Sequence, residues 1–325
     1  MKICYFTCSS SYGGMEKIII DTLNGISSKV ECSVIIPKNS TYKDSFSKKV
    51  KVIEFKSSNQ RYSPFLYLEL YTLLKKYDIV HTHGAKATKI TYLLNKVLPF
   101  IHIATKHNIR KGKIFNKVTN VISVSSEVAK TISHSSKILY FGIQKVLNTE
   151  AKKCDIFTII AVGRLDNIKG FDLLIDQVSK LNFNFQLNII GEGPERNKLE
   201  ELIRSNNLKN KVFLLGFKNN IPQLLKDSHL QVISSLSEGL PLTLLEGIMN
   251  SSVIISTPVG GIVEVLDTDF LLNINDFANK ITTIYEDYIF YCDDFKSKHN
   301  HLKEKFDFDV YSNNLLEYYK KVYND

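Results

Sequence analysis

At 325 residues the chain exceeds what one hydrophobic core usually serves, so two domains of roughly 150 residues are expected. A composition of 44% hydrophobic and 23% charged residues, without repeats or low-complexity tracts, excludes disordered, collagenous and repeat-array classes. The net charge of +9 is unevenly spread: residues 1–149 hold 23 Lys and Arg against 8 Asp and Glu, and residues 150–325 hold 19 against 25, so the amino-terminal half is expected to meet an anionic partner.

The opening MKICYFTCSS has one lysine and a short strand-like run, without the apolar stretch and cleavage site of a secretory signal, so a cytoplasmic chain is expected. Residues 2–7 read as a strand and 14–28 as a helix, followed by strands at 30–37 and 50–55. A helix at 64–76, a strand at 78–83 and a helix at 86–97 come next, and the order repeats through strands at 101–107 and 121–125. The apolar stretch 90–104 is broken by Asn95, Lys96 and Pro99 and falls short of the ~20 residues that a bilayer span needs. Strands too apolar to be half exposed, alternating with helices, predict parallel sheets covered on both faces.

Periodicity lapses between Phe141 and Asp155, which places a boundary between a domain of residues 1–149 and one of 150–306. The second series has strands at 156–162, 183–190, 212–215, 230–234 and 253–256, with helices at 194–206 and 242–250; Pro194 suits a first helical turn. Residues from 276 onward are helical. Tyr311, Leu315, Tyr318, Tyr319 and Val322 recur at three- and four-residue spacing, an apolar face for packing, and residues 307–325 are expected to lie on the first domain. The five cysteines are odd in number and scattered, which predicts reduced thiols.

Ligands of open α/β sheets bind beyond the carboxyl ends of the strands, so residues just after strands are candidates for chemistry. Gly13 and Gly14 open the first helix, where free amides and the positive helix end can receive an anion. Gly163 through Gly170 puts two cations, Arg164 and Lys169, into one loop suited to a diphosphate. Gly191-Glu192-Gly193-Pro194 is an incomplete dinucleotide fingerprint, because Arg196 stands where the third glycine would be; a dehydrogenase is therefore disfavoured. Glu238 lies in the loop after the 230–234 strand and Glu246 in the following helix, two carboxylates able to grip sugar hydroxyls and a ribose beside free amides. Gly260-Gly261 with Glu264 repeats the pattern.

The order and spacing of Gly163-Arg164 to Lys169-Gly170, Gly191 to Pro194, Glu238 to Pro241 with Glu246, and Gly260-Gly261 with Glu264 resemble glycosyltransferase family 4, and Gly13 to Glu16, Asp78 to His83 and Thr105 to His107 are also family-like. The resemblance implies the GT-B fold: two Rossmann-like α/β domains with parallel sheets facing across a central cleft, and carboxyl-terminal helices crossing back to the first domain. It implies a retaining transferase that uses a nucleotide-diphosphate sugar; UDP-sugars are favoured and no essential metal is expected. Arg164 and Lys169 would bind the donor diphosphate and Glu246 the ribose. Glu238 would contact the transferred sugar, with the Gly239, Leu240 and Leu242 amides nearby. Gly13, Gly14, Gly163, Gly216 and Phe217 complete the donor set, and His107 would face the sugar near the acceptor.

The largest catalytic contribution expected is that of cations and amides aimed at the departing diphosphate. Glu238 and Glu246 could otherwise form a retaining hydrolase pair, whose carboxyl groups stand about 5 Å apart; the nearby Arg164 and Lys169 speak against it. Asp267-Thr268-Asp269 and Asp307-Phe308-Asp309 are read as a loop and a helix start, not as metal ligands. His81, inside an apolar strand, reads as structural; His83 and His107 end strands, where ligand contacts are expected; His299 and His301 read as solvated surface. Lys106, Arg110, Lys111, Lys113 and Lys117 crowd one segment, expected to meet the anionic inner leaflet or a phosphate-bearing lipid carrier, with a glycan or lipid-linked glycan as acceptor. The rival functions are a sugar-nucleotide epimerase on the same fold and a non-enzymatic polyanion-binding protein. Nucleic acid is disfavoured by the lack of an aromatic-plus-basic recognition motif.

Overall fold

In the computed structural model, which describes residues 1–110, 112–145 and 150–325, the apolar run after Met1 becomes β1 (Lys2–Thr7), an interior strand of a parallel sheet. Its other strands among the described residues are β2 (Glu31–Pro37), β3 (Lys51–Phe55), β4 (Ile79–His83), β5 (Ile101–Lys106), β6 (Asn120–Ser123) and β7 (Lys137–Ile138), in the order β3-β2-β1-β4-β5-β6-β7. The helices α1 (Gly14–Ile26), α2 (Pro64–Leu74), α3 (Ala85–Leu94) and the single turn α4 (Ser126–Ala129) join them. Successive side chains of a strand point to opposite faces. Cys4 and Phe6 therefore pack with Leu66, Leu70 and Leu74 of α2 and Ile90 of α3, and Tyr5 turns to the other face.

That other face receives the carboxyl-terminal helix (Phe308–Asn324), in which Tyr311, Leu315, Leu316 and Tyr319 are buried. Tyr311 shares a hydrogen bond with Thr22 of α1 at 3.1 Å, and Tyr319 one with Tyr5 at 2.6 Å. Residues 1–141 and 309–325 accordingly form one compact unit. Its first stretch ends at Phe141, the near end of the aperiodic stretch in which the sequence reading sets a boundary after residue 149; residues 146–149 lie outside the described ones.

Residues 142–308 form the second unit. Its described sheet, β8 (Phe157–Val162), β9 (Phe185–Ile190), β10 (Val212–Leu214), β11 (Leu230–Ile233) and β12 (Ile254–Ser256), is parallel throughout in the order β10-β9-β8-β11-β12. Around it lie α5 (Phe171–Val178), α6 (Arg196–Ser205), α7 (Ile221–Asp227), α8 (Leu242–Asn250), α9 (Phe277–Glu286), α10 (Tyr288–His299) and α11 (Leu302–Lys305). Two parallel α/β units are thus present, each with the strand order of a Rossmann-like sheet around β1 and β8.

Three local expectations are corrected. The helix expected to 97 stops at Leu94, because the Asn95 carboxamide donates to the Leu98 and Phe100 carbonyls and turns the chain. Pro194 lies in the turn before α6, not inside it. His299 is not solvated: it is 3% exposed, stacks on Phe295, donates from Nδ1 to the Phe295 carbonyl and accepts the Asp267 amide at Nε2.

Candidate active site

Each sheet reverses strand order beside its first strand, at β1/β4 and at β8/β11, and such reversals open a crevice beyond the carboxyl ends. In the second unit, β8 delivers Gly163 and Arg164 to this edge. The loop is anchored by Leu165, which is fully buried and whose amide donates to the Glu192 carbonyl at 3.0 Å. Asp166 accepts the Ile168 amide at 3.1 Å and starts a single 3-10 turn, Asn167–Lys169. Gly170 then takes φ 60°, and a side chain there would meet the Ser234 carbonyl oxygen at 2.3 Å, so only glycine lets the loops after β8 and β11 close together.

The result is a fixed cation. Ser234 donates its hydroxyl to the Lys169 carbonyl at 2.8 Å, and Lys169 Nζ stands 2.5 Å from Glu238 Oε1, which also accepts the Ser235 hydroxyl at 2.7 Å. The Glu238 backbone is fixed in turn by Gly260, at φ 54°, where a Cβ would fall 1.9 Å from the Glu238 carbonyl oxygen; the Gly261 amide donates to Gly239 at 2.6 Å. Loops from β8, β11 and β12 therefore interlock. Arg164 is exposed and, among the described residues, in no ion pair. Gly239 and Leu240 are buried just before α8, whose first residue is Leu242, and the amides of a helix's first turn have no partner inside the helix. Glu246 is 4% exposed on the second turn of α8. Gly216 follows β10 at φ 69° and accepts the Gly191 amide, and Phe217 beside it is 55% exposed.

In the first unit, Gly13 and Gly14 lead into α1. A Cβ on Gly84, the residue after β4, would touch the Met15 sulfur at 3.7 Å, so this turn lies beside the end of β4. His83 Nδ1 and His107 Nε2 are 2.9 Å apart. Burial lowers the His83 pKa far below the usual imidazole value and the His107 pKa to about 4, so both rings are neutral. His83 Nε2 is buried with no partner among the described residues. The tautomer that leaves no buried N–H unpaired has His83 donating from Nδ1 to His107 Nε2, which leaves the His107 proton on Nδ1 as a donor. His81 is buried, sharing hydrogen bonds of 2.6 Å with Tyr319 and with Thr105, in keeping with a structural histidine.

The structure therefore brings Gly163, Lys169, Glu238 and Gly239 together in the second unit, and Gly13, Gly14 and His107 to the carboxyl edge of the first sheet. It removes Lys106 from the acceptor and membrane set. That side chain is 1% exposed, burial lowers its pKa, and its ammonium donates to the carbonyl and hydroxyl of Thr131, which arrive from a later segment. Arg110, Lys113 and Lys117 are exposed, and Lys111 lies outside the described residues. Asp267 caps a 3-10 turn by accepting the Asp269 amide, and the Asp267 and Asp269 carboxylates both pair with Lys298. Sequence reading missed Ser234 and Ser235, which hold Lys169 and Glu238, although both precede Glu238 at a strand end. It also read Tyr319 as packing alone, where the unpaired polarity of His81 in an apolar strand was the available signal.

The family described as Glycosyl transferases group 1 matches residues 144–305, and that described as Glycosyl transferase 4-like matches residues 2–109. An uncharacterised glycosyltransferase of Methanocaldococcus jannaschii is 32% identical over 231 residues, 63% of this chain; the match spans only 64% of that curated relative's length. A UDP-Gal:alpha-D-GlcNAc-diphosphoundecaprenol alpha-1,3-galactosyltransferase of Escherichia coli is 28% identical over 273 residues, 68% of this chain and 70% of the relative. Among solved structures, Anabaena Alr3699/HepE in complex with UDP-glucose superposes with a TM-score of 0.88 over 99% of this chain and 100% of that one, at 19% identity, a likeness of fold. Each unit thus carries a glycosyl transferase family match, residues 144–305 the one and residues 2–109 the other, and the chain shares the GT-B fold.

Proposed function

We propose that this chain is a retaining glycosyltransferase that moves a hexose or N-acetylhexosamine from a UDP-sugar to a glycan or lipid-linked glycan, in bacterial surface polysaccharide, lipopolysaccharide or capsule assembly on the cytoplasmic face of the inner membrane. The carrying observation is the interlocked edge that fixes Lys169 beside Glu238, with Arg164 exposed on the same loop and the first turn of α8 following. The donor named for the Escherichia coli relative, UDP-Gal, and its diphosphoundecaprenol acceptor support the substrate classes.

In this reading Arg164, Lys169 and the amides of Gly239, Leu240 and Leu242 neutralise the diphosphate as the anomeric C–O bond breaks. The acceptor hydroxyl attacks the anomeric carbon from the leaving-group face, its proton passes to the departing phosphate oxygen, and UDP leaves with anomeric configuration retained. Glu238 orients the sugar hydroxyls, Glu246 accepts from the ribose, and His107 donates from Nδ1 to the sugar. The reading expects no metal step, with Arg164, Lys169 and the loop amides facing the diphosphate. Arg164→Ala and Lys169→Ala should each lower kcat/KM by about 10²–10³, measured as UDP release with a lipid-linked acceptor. Full turnover in the double variant would sink the reading.

A further inference from the structure

Helix α2 is apolar on two sides. Leu66, Leu70 and Leu74 are fully buried against the sheet, yet Phe65 is 76% exposed and Leu68 66%, and Tyr62 in the preceding turn is 81% exposed. At 100° per residue, Phe65, Leu68 and Tyr71 share the face opposite the buried leucines. A helix apolar all round is normally covered all round. Single exposed apolar residues are ordinary; several adjoining ones of this size mark a surface that something covers.

The charge around this face selects the occupant. Residues 56–76 contain four cations, Lys56, Arg61, Lys75 and Lys76, all exposed, and a single carboxylate, Glu69. Glu69 is half-buried and held by the preceding loop: its two oxygens accept the amides of Lys56 and Ser57 at 2.9 and 2.8 Å. The outward face is therefore aromatic and aliphatic, rimmed by four cations against the one carboxylate of Glu69. Rings at the headgroup level and ammonium groups against lipid phosphates are the pattern of a helix lying in an anionic interface.

We propose that the exposed face of α2 docks the chain onto an anionic lipid surface, with Tyr62, Phe65 and Leu68 entering the headgroup layer and Arg61, Lys75 and Lys76 meeting lipid phosphates. The inference deepens the proposed function, resting on it for a lipid-linked acceptor held in that surface, while the docking itself stands on α2. It moves the membrane contact away from the segment that holds Lys106.

The test is flotation of the full chain with vesicles of phosphatidylcholine, alone or mixed with phosphatidylglycerol. Wild type should float with the mixed vesicles and at least about tenfold less with the neutral ones. Phe65→Ser combined with Leu68→Ser, and separately Lys75→Gln with Lys76→Gln, should each lower the bound fraction about tenfold while melting stays cooperative; Arg110→Gln with Lys113→Gln should leave it unchanged. Equal flotation of the α2 variants, or equal binding of wild type to both vesicles, overturns the proposal. A wild-type dimer that the Phe65→Ser, Leu68→Ser variant dissolves, seen by light scattering, also overturns it by assigning the face to a second copy. A thermal shift with UDP, run alongside, separates the two readings: its absence in wild type counts against the donor site alone, whereas its retention in an α2 variant that no longer floats supports docking by this face.

Discussion

Tyr319 is the residue on which the buried polar chemistry of the first unit turns. Its hydroxyl serves Tyr5 and His81 at once, at 2.6 Å each, in a region closed to water. Tyr319→Phe keeps the ring and leaves two buried groups short of a partner, so urea denaturation should show a loss of about 1–3 kcal/mol; an unchanged midpoint would mean that the network adds nothing to stability. The histidines add a pH dependence of definite sign. Burial lowers the His102 pKa to about 3 and the His107 pKa to about 4 from an ordinary 6.5, so below 6.5 the unfolded chain binds more protons than the folded one. Their contribution is complete above 6.5 and is lost as pH falls toward the folded values. The melting temperature should therefore drop on acidification from 6.5 to about 4, and His102→Gln should flatten that drop.

Between elements, the second unit depends on loop-to-loop contacts that tolerate no Cβ. Gly260 holds a positive φ with the Glu238 carbonyl oxygen where a methyl would be. Gly260→Ala should cost about 1–3 kcal/mol of stability through backbone strain, and it should push Glu238 off Lys169. Activity should fall with it, whereas an alanine variant that melts and turns over like wild type would show that the interlock is dispensable. The carboxyl-terminal helix plays the matching part in the first unit. Leu315 is fully buried there, so Leu315→Ala should lower stability by about 2–5 kcal/mol, measured by denaturant melts.

For the whole molecule, metal, stereochemistry and donor are each read by a separate measurement. Turnover should survive a chelator, because Arg164 and Lys169 supply the positive charge and because the Asp267 and Asp269 carboxylates are engaged by Lys298; loss of activity restored by a divalent ion would overturn that expectation. Nuclear magnetic resonance of the product should show the donor's anomeric configuration, and an inverted product would exclude the front-face mechanism. Saturating UDP at about 100 times its Kd should stabilise the fold by roughly 2.7 kcal/mol, visible as a raised melting temperature that GDP reproduces poorly.

The alternation of strands and helices, the two parallel sheets and the order of glycine, cation and carboxylate positions were legible from residues 2–7 through 242–250, because periodicity and turn chemistry act over a few neighbouring residues. Even the bounds of α8 follow from Pro241 and the apolar run behind it. What sequence order could not decide was which side chains lose water, since that depends on segments arriving from far along the chain. Thr131 covers Lys106, Asp267 engages His299, the carboxyl-terminal helix seals His81, and Phe65 and Leu68 stay largely exposed. Burial is a property of the packed whole, so the water lost by Lys106 and kept by Phe65 was decided only once the chain had folded.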